Sequence, residues 1–166
     1  MDQEEKQRNY DLAESLLSEQ KLVSAAIAGA IAMVVAAGIF GVMASGGVSF
    51  SFMAAGIGVV IGFTMQFLGR GIATKFAVVA SVYAVLGCLL GNLFAVVIYV
   101  SRVNSASFSD VLFNTPIVDL AGWITSDLQF ADIIFWIAAI GAAAYFAKRR
   151  LSREEGLAIH IYGMNH

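Results

Sequence analysis

The sequence predicts an all-α, polytopic membrane protein: a four-transmembrane-helix bundle with outer interfacial helices. Three observations carry that prediction. Of 166 residues, 59% are hydrophobic and only 13% charged, with a mean hydropathy of +0.79, a composition foreign to a water-soluble domain of this length. Long uncharged apolar runs recur four times, and a hydrocarbon core about 30 Å thick needs roughly 20 such residues at the helical rise. Nine of the ten Lys and Arg residues fall on one side of those runs, and Arg102 alone falls on the other.

The spans are expected at residues 22–44, 51–69, 76–101 and 128–147, between an N-terminal helical extension (1–21) and a C-terminal tail (148–166). In hydrocarbon each backbone N–H and C=O needs a partner within the protein, so a spanning segment is a helix or a strand of a closed barrel. Runs this long, rich in Ala and Gly and without period-two alternation, are helices. Lys and Arg are retained on the cytoplasmic side during insertion. Lys6, Arg8 and Lys21 precede the first span, Arg70 and Lys75 lie between the second and third, and Lys148, Arg149, Arg150 and Arg153 follow the fourth. Both termini are therefore expected in the cytoplasm, with the protein in a bacterial inner membrane. Arg70, Lys75, Lys148, Arg149 and Arg150 enforce that topology or attract anionic lipid headgroups.

The first twenty residues are acidic and polar, unlike the short basic start of a cleaved signal peptide. Asn9 has the chemistry to cap a helix through Tyr10, Ala13 and Leu17 that runs on into the first span, since no Gly or Pro intervenes before Gly29. Helices in lipid associate where small residues let backbones approach. Such residues recur at Ser24, Ala28, Ala32 and Ala36, with Ala37 and Gly41 beyond, and as the pairs Gly58/Gly62 and Gly87/Gly91. Packing within the chain or against a second copy both use them. The third span divides into a face of Ser81, Ala84, Cys88, Gly91, Asn92, Ala95 and Tyr99, expected inward, and one of Leu86, Leu90, Leu93 and Val97, expected toward lipid. The Asn92 amide needs a partner away from water: a neighbouring helix, or a permeating ion or solute. The lone Cys88 excludes an intrachain disulfide and is expected to pack as a small apolar residue.

The connection from Arg102 to Asp127 is too long for a structureless loop in so small a protein. Ser107 or Ser109 is placed to start a short helix through Val111, Leu112 and Phe113. Thr115 and Pro116 open a second, whose apolar stripe is Ile117, Leu120 and Trp123. That stripe is expected on the membrane surface, or against a partner's extramembrane domain. Ser126 and Gln129 have capping-box spacing for the fourth span, and Arg102 and Asp132 are candidates for an ion pair at the outer helix ends. The tail is expected to be flexible or to dock on a partner, its His160 and His166 being too few to hold a metal.

Gly69-Arg70-Gly71-Ile72, then Phe76, then Gly87-Cys88-Leu89-Leu90-Gly91-Asn92-Leu93 resembles a segment of small bacterial multi-helix inner-membrane proteins. The resemblance spans about the second and third segments, implies that location, and carries no activity. Some of those proteins place a zinc ribbon before the spans; this chain has no cysteine there, so no metal is carried over.

No nucleotide-binding loop, metalloprotease helix, nucleophile elbow or paired intramembrane carboxylate occurs, so neither catalysis nor a cofactor is expected. The basic residues flank spans without interleaved aromatics, which excludes nucleic acid as a predicted partner. Expected partners are the bilayer and other membrane subunits or further copies of the chain. The expected role is a structural or accessory subunit of a membrane complex. The alternatives are a homo-oligomeric channel or transporter lined by Asn92, Ser81, Gln66 and Thr64, and a neutralising immunity-type or stress-response protein.

Overall fold

Each long apolar run becomes one helix whose ends fall where Gly, Ser or charge interrupts the run. The computed structural model describes residues 3–45, 53–127 and 130–164, and all eight of its elements are α-helices. The four longest, apart from a terminal pair, are α2 (Leu22–Ala44), α3 (Met53–Gly69), α4 (Thr74–Val103) and α7 (Phe130–Phe146). Two of these, α2 and α4, are long and apolar enough to cross a membrane. At 1.5 Å per residue α4 is about 45 Å long. The predicted turn at residues 46–49, the starts of two spans at residues 51 and 128, the capping partner Gln129 and the terminal His166 lie outside the described residues.

Helices α3 and α4 each touch the other three members of the bundle, and α2 and α7 occupy opposite corners. The seams are built by glycine. On α2, Met33 and Phe40 enter the spaces left by Gly87 and Gly91 of α4, while Tyr83 and Phe94 of α4 lie over Gly29 and Gly41 of α2. The rising residue numbers on both sides make α2 and α4 parallel. Gly58 and Gly62 bring α3 against the backbone of Ala139 and Ala143 on α7, also in parallel. The core between them combines Ile57, Ile61, Met65 and Phe76 with Ala80, Ala84 and Ala143.

The buried stripe of α2 is Ala25, Gly29, Met33, Ala37 and Gly41, one residue round from the predicted Ser24, Ala28, Ala32 and Ala36. The expected Ala37 and Gly41 do lie in it; what a rule of small residues omits are the large knobs Met33 and Phe40 that alternate with the glycine holes. On α4, Ala84, Cys88 and Gly91 are buried and Leu86 is exposed, as expected. Val97 and Tyr99 are reversed: Val97 is fully buried and Tyr99 is 59% exposed. The cause is tertiary. Helices α5 (Phe108–Asn114) and α6 (Ile117–Asp127) fold back on the C-terminal part of α4, where Val111 and Leu120 cover Val97, with Leu93, Val100, Leu112 and Trp123 around them. The predicted stripe of α6 therefore divides: Leu120 turns inward while Ile117 stays 83% exposed. Ser107 precedes α5 without making a side-chain cap bond, and Thr115 and Pro116 precede α6.

Three local expectations are corrected. Asn9 is not a cap but a buried residue midway along α1 (Gln3–Ser18), and α1 does not run into α2. Ser126 does not start α7; it lies in the last turn of α6, its hydroxyl donating to the Trp123 carbonyl at 2.9 Å. The tail is not flexible over 153–164, where it forms α8 (Arg153–Met164) against α1. Ala13 and Leu16 of α1 and Ala158 and Ile161 of α8 are buried, and the rings of Tyr10 and Tyr162 meet edge-on at 5.7 Å. Since α1 leads into the bundle and α8 leads out at the same end, the pair is antiparallel, and among the described residues neither helix packs on any other.

Candidate functional site at the basic end of the bundle

The start of α2, the end of α3, the start of α4 and the end of α7 converge at one end, and backbone hydrogen bonds between separate connections hold them there. Lys21 N donates to Gly69 O at 3.0 Å, and Arg149 N to Gly71 O at 2.9 Å. The first bond accounts for the break after α1. Leaving the helix frees the Lys21 N–H to satisfy a carbonyl that the end of α3 would otherwise leave unpaired. Its neighbours follow: Gln20 Oε1 accepts from Ala73 N at 3.4 Å, and the Glu19 carboxylate accepts from Arg70 Nη1 at 3.1 Å. Arg70 has φ 46°, a left-handed conformation that ends α3 and costs a non-glycine residue about 1 kcal/mol. Gly71 is required beside it, because a Cβ there would enter the ring of Phe76.

The exit from α7 carries the densest polar network. Ser152 N donates to Glu155 Oε2 at 2.8 Å, and Glu155 N to Ser152 Oγ at 3.2 Å, a reciprocal capping box that starts α8. Glu155 Oε1 also accepts from Arg149 at 2.9 Å. Arg150 lies 5.4 Å over the Tyr145 ring and donates to its hydroxyl. Sequence reading missed this cap although Ser152-x-x-Glu155 was its signal, because it followed charges assigned to a tail.

Beside this network, α4 and α7 part to leave an open groove of about 480 Å³. Ala77, Gly141 and Ala144 form its floor, and Tyr145, Lys148, Arg149 and Arg150 its rim. Lys148 and Arg150 are exposed, and a Cβ on Gly141 would meet nothing within 4 Å. Three basic residues predicted to lie near headgroups are thus brought to one groove. Arg70 sits on the α3–α4 turn with its carboxylate partner, and Lys75 is exposed in the first turn of α4.

The other predicted site residues lie in the seams or at the opposite end. Gly58 and Gly62 face α7, while Gly87 and Gly91 receive Met33 and Phe40. In Gly91→Ala the added methyl meets the Phe40 ring at 2.6 Å rather than a backbone. The ring can swing aside, so the expected loss is about 1 kcal/mol, read by denaturant titration in mixed micelles. Asn92 is half-buried on α4 and makes no hydrogen bond among the described residues. Arg102 Nη1 lies 3.5 Å from the Ser45 carbonyl at the end of α2, and Asp132 sits half-buried in the first turn of α7. Cys88 packs with Ala54, Ala139, Phe135 and Trp136. Of the polar residues suggested as a pore lining, Thr64 donates its hydroxyl back to Val60 O at 2.8 Å within its own helix.

No protein-family model, curated protein or solved structure matches this chain.

Proposed function

We propose that this chain is a non-enzymatic, four-span protein of the bacterial inner membrane, with both termini cytoplasmic, acting as a structural or accessory subunit of a membrane complex. The bilayer reading is supported by an inverted distribution of side-chain size. Alanine and glycine line much of the interior between a few large knobs, while α2 exposes Val23, Ile27, Ile31, Val35, Ile39 and Val42, each by more than half. Val60 and Phe67 on α3, Val78 and Val82 on α4, and Ile133, Ile134 and Ile137 on α7 extend the same belt. Soluble monomers rarely maintain so many exposed large apolar residues together. Only 22% and 28% of the apolar windows of α2 and α4 are buried, against the mostly buried state of a soluble core helix. Arg70, Lys75, Lys148, Arg149 and Arg150 gather at one end and Arg102 stands at the other, the asymmetry that orients a chain with its basic end inside.

The accessory role rests chiefly on one observation, the α1–α8 pair. Among the described residues it packs on no other helix, and it presents Glu4, Glu5, Asp11, Glu14 and Glu154 together with the exposed Leu17 and Leu157. A bundle sealed by glycine-to-backbone contact, joined to a polar helix pair that stands apart, suits a membrane-embedded mount for another subunit. The runner-up, a homo-oligomeric channel or transporter, draws on the half-buried Asn92, whose amide a second copy would satisfy.

Gentle extraction of the full chain into nanodiscs followed by native mass spectrometry separates them. A foreign subunit retained by the wild type and lost when Leu17 and Leu157 are both changed to Glu is the expected result. A closed homo-oligomer whose solute flux in proteoliposomes disappears with Asn92→Leu would replace the accessory reading with the channel.

A further inference from the structure

We infer that the groove between α4 and α7 is a binding site for one anionic phospholipid, held by Lys148 and Arg150 at its phosphate and by the small-residue floor below. The inference rests on the bilayer location proposed above.

Charge selects the ligand. The rim holds three cations and a phenol, and no carboxylate lines the groove. Of the cations, Arg149 is already engaged by Glu155 at 2.9 Å and its backbone is fixed to Gly71. Among the described residues Lys148 has no such partner, and Arg150 is stacked on Tyr145, which orients its guanidinium without neutralising it. Two uncompensated positive charges therefore remain over a concave surface, a complement to a phosphodiester carrying one or more negative charges. At about 480 Å³ the groove is within the range of small-molecule sites.

The floor selects a lipid rather than a soluble phosphate. Ala77, Gly141 and Ala144 offer no polar side chain, and their small size creates the depression. Gly141 is informative here. Glycine in mid-helix costs about 1 kcal/mol relative to alanine, and the glycines at Gly58, Gly62, Gly87 and Gly91 offset that cost through close helix contact. A Cβ at Gly141 would meet nothing within 4 Å, as at Gly38 and Gly56, but of these three Gly141 lines the groove, so the room it leaves is available to an acyl chain entering from the hydrocarbon. The cations stand where α7 ends, at the level a headgroup occupies when its chains run beside α4 and α7.

The test uses the full chain in detergent micelles, offered equal amounts of phosphatidylglycerol and phosphatidylcholine, with bound lipid counted by native mass spectrometry. At about fivefold per basic residue near a charged surface, the wild type is expected to retain the anionic lipid about thirtyfold over the zwitterionic one. Lys148→Gln with Arg150→Gln is expected to bring that ratio close to one. Gly141→Leu, which fills open space, is expected to lower the amount of either lipid retained while leaving helical circular dichroism unchanged. Equal retention of the two lipids by the wild type, or indifference to both variants, overturns the site. Displacement of the lipid by millimolar glycerol phosphate or inorganic phosphate would overturn the assignment in favour of a soluble phosphate. Flotation with liposomes separates the underlying reading: a chain that floats with vesicles yet shows no headgroup preference refutes the groove alone, whereas one that does not float refutes the bilayer location as well.

Discussion

Gly58→Ala is expected to lower the stability of the bundle by about 3 kcal/mol, the upper part of the range for forcing volume into a packed interface. The added methyl would overlap the carbonyl oxygen of Ala139, and its next neighbours are the carbonyl carbon and Cα of the same residue. All three are backbone atoms, and no rotamer change relieves them. Helices α3 and α7 must move apart, which also withdraws Gly62 from Ala143, whose oxygen a Cβ there would approach to 2.9 Å. Gly56, two residues earlier and exposed, has open space around its Cβ position, so Gly56→Ala is the matched control and is expected to be neutral or mildly stabilising. Denaturant titration in mixed micelles, followed by circular dichroism, compares the two. Equal losses at both positions would mean that α3 and α7 are not in backbone contact.

Phe76→Ala is expected to cost about 3 kcal/mol, toward the lower end of measured losses for truncating a buried phenylalanine. Phe76 is fully buried at the start of α4 and underlies both Gly69 and Gly71. Its ring supports the turn to which Lys21 N and Arg149 N are bonded. A second signature is therefore expected: amide hydrogen exchange at Lys21 and Arg149 accelerates together, although neither residue is near the other in sequence. Phe67, 78% exposed, is the control, and Phe67→Ala is expected to change stability by less than about 0.5 kcal/mol. Should exchange at Lys21 and Arg149 stay unchanged in Phe76→Ala, the turn is held by something other than that ring.

The long helices were legible because apolar length is a property of the segment alone. The ends of α2, α3, α4 and α7 fall within two residues of the runs read from sequence wherever those ends are described. What sequence reading misplaced were features that another part of the chain decides. The buried stripe of α2 depends on where α4 has glycines, so Met33 and Phe40 could be recognised as core residues only with Gly87 and Gly91 in view. Val97 faces α5 and α6 because the connection between α4 and α7 folds back, and nothing in the period of α4 reveals that. The break between α1 and α2 is written in no Gly or Pro; it exists because Gly69 O and Ala73 N receive the groups it releases. At the basic groove the sequence supplied Lys148, Arg149 and Arg150 but not the distinction among them, which depends on Glu155 and Tyr145. The glycine that opens the groove, Gly141, was indistinguishable in sequence from the fifteen others.

The pairing of α1 with α8 also bears on biogenesis. The α1 segment leaves the ribosome before any of the four bundle helices, yet the surface that covers its Ala13 and Leu16 is synthesised after all of them. Until α8 is made, that short apolar stripe lacks the surface that covers it. Closure of the pair therefore follows synthesis of all four bundle helices, and a chain interrupted before α8 leaves the stripe on α1 uncovered.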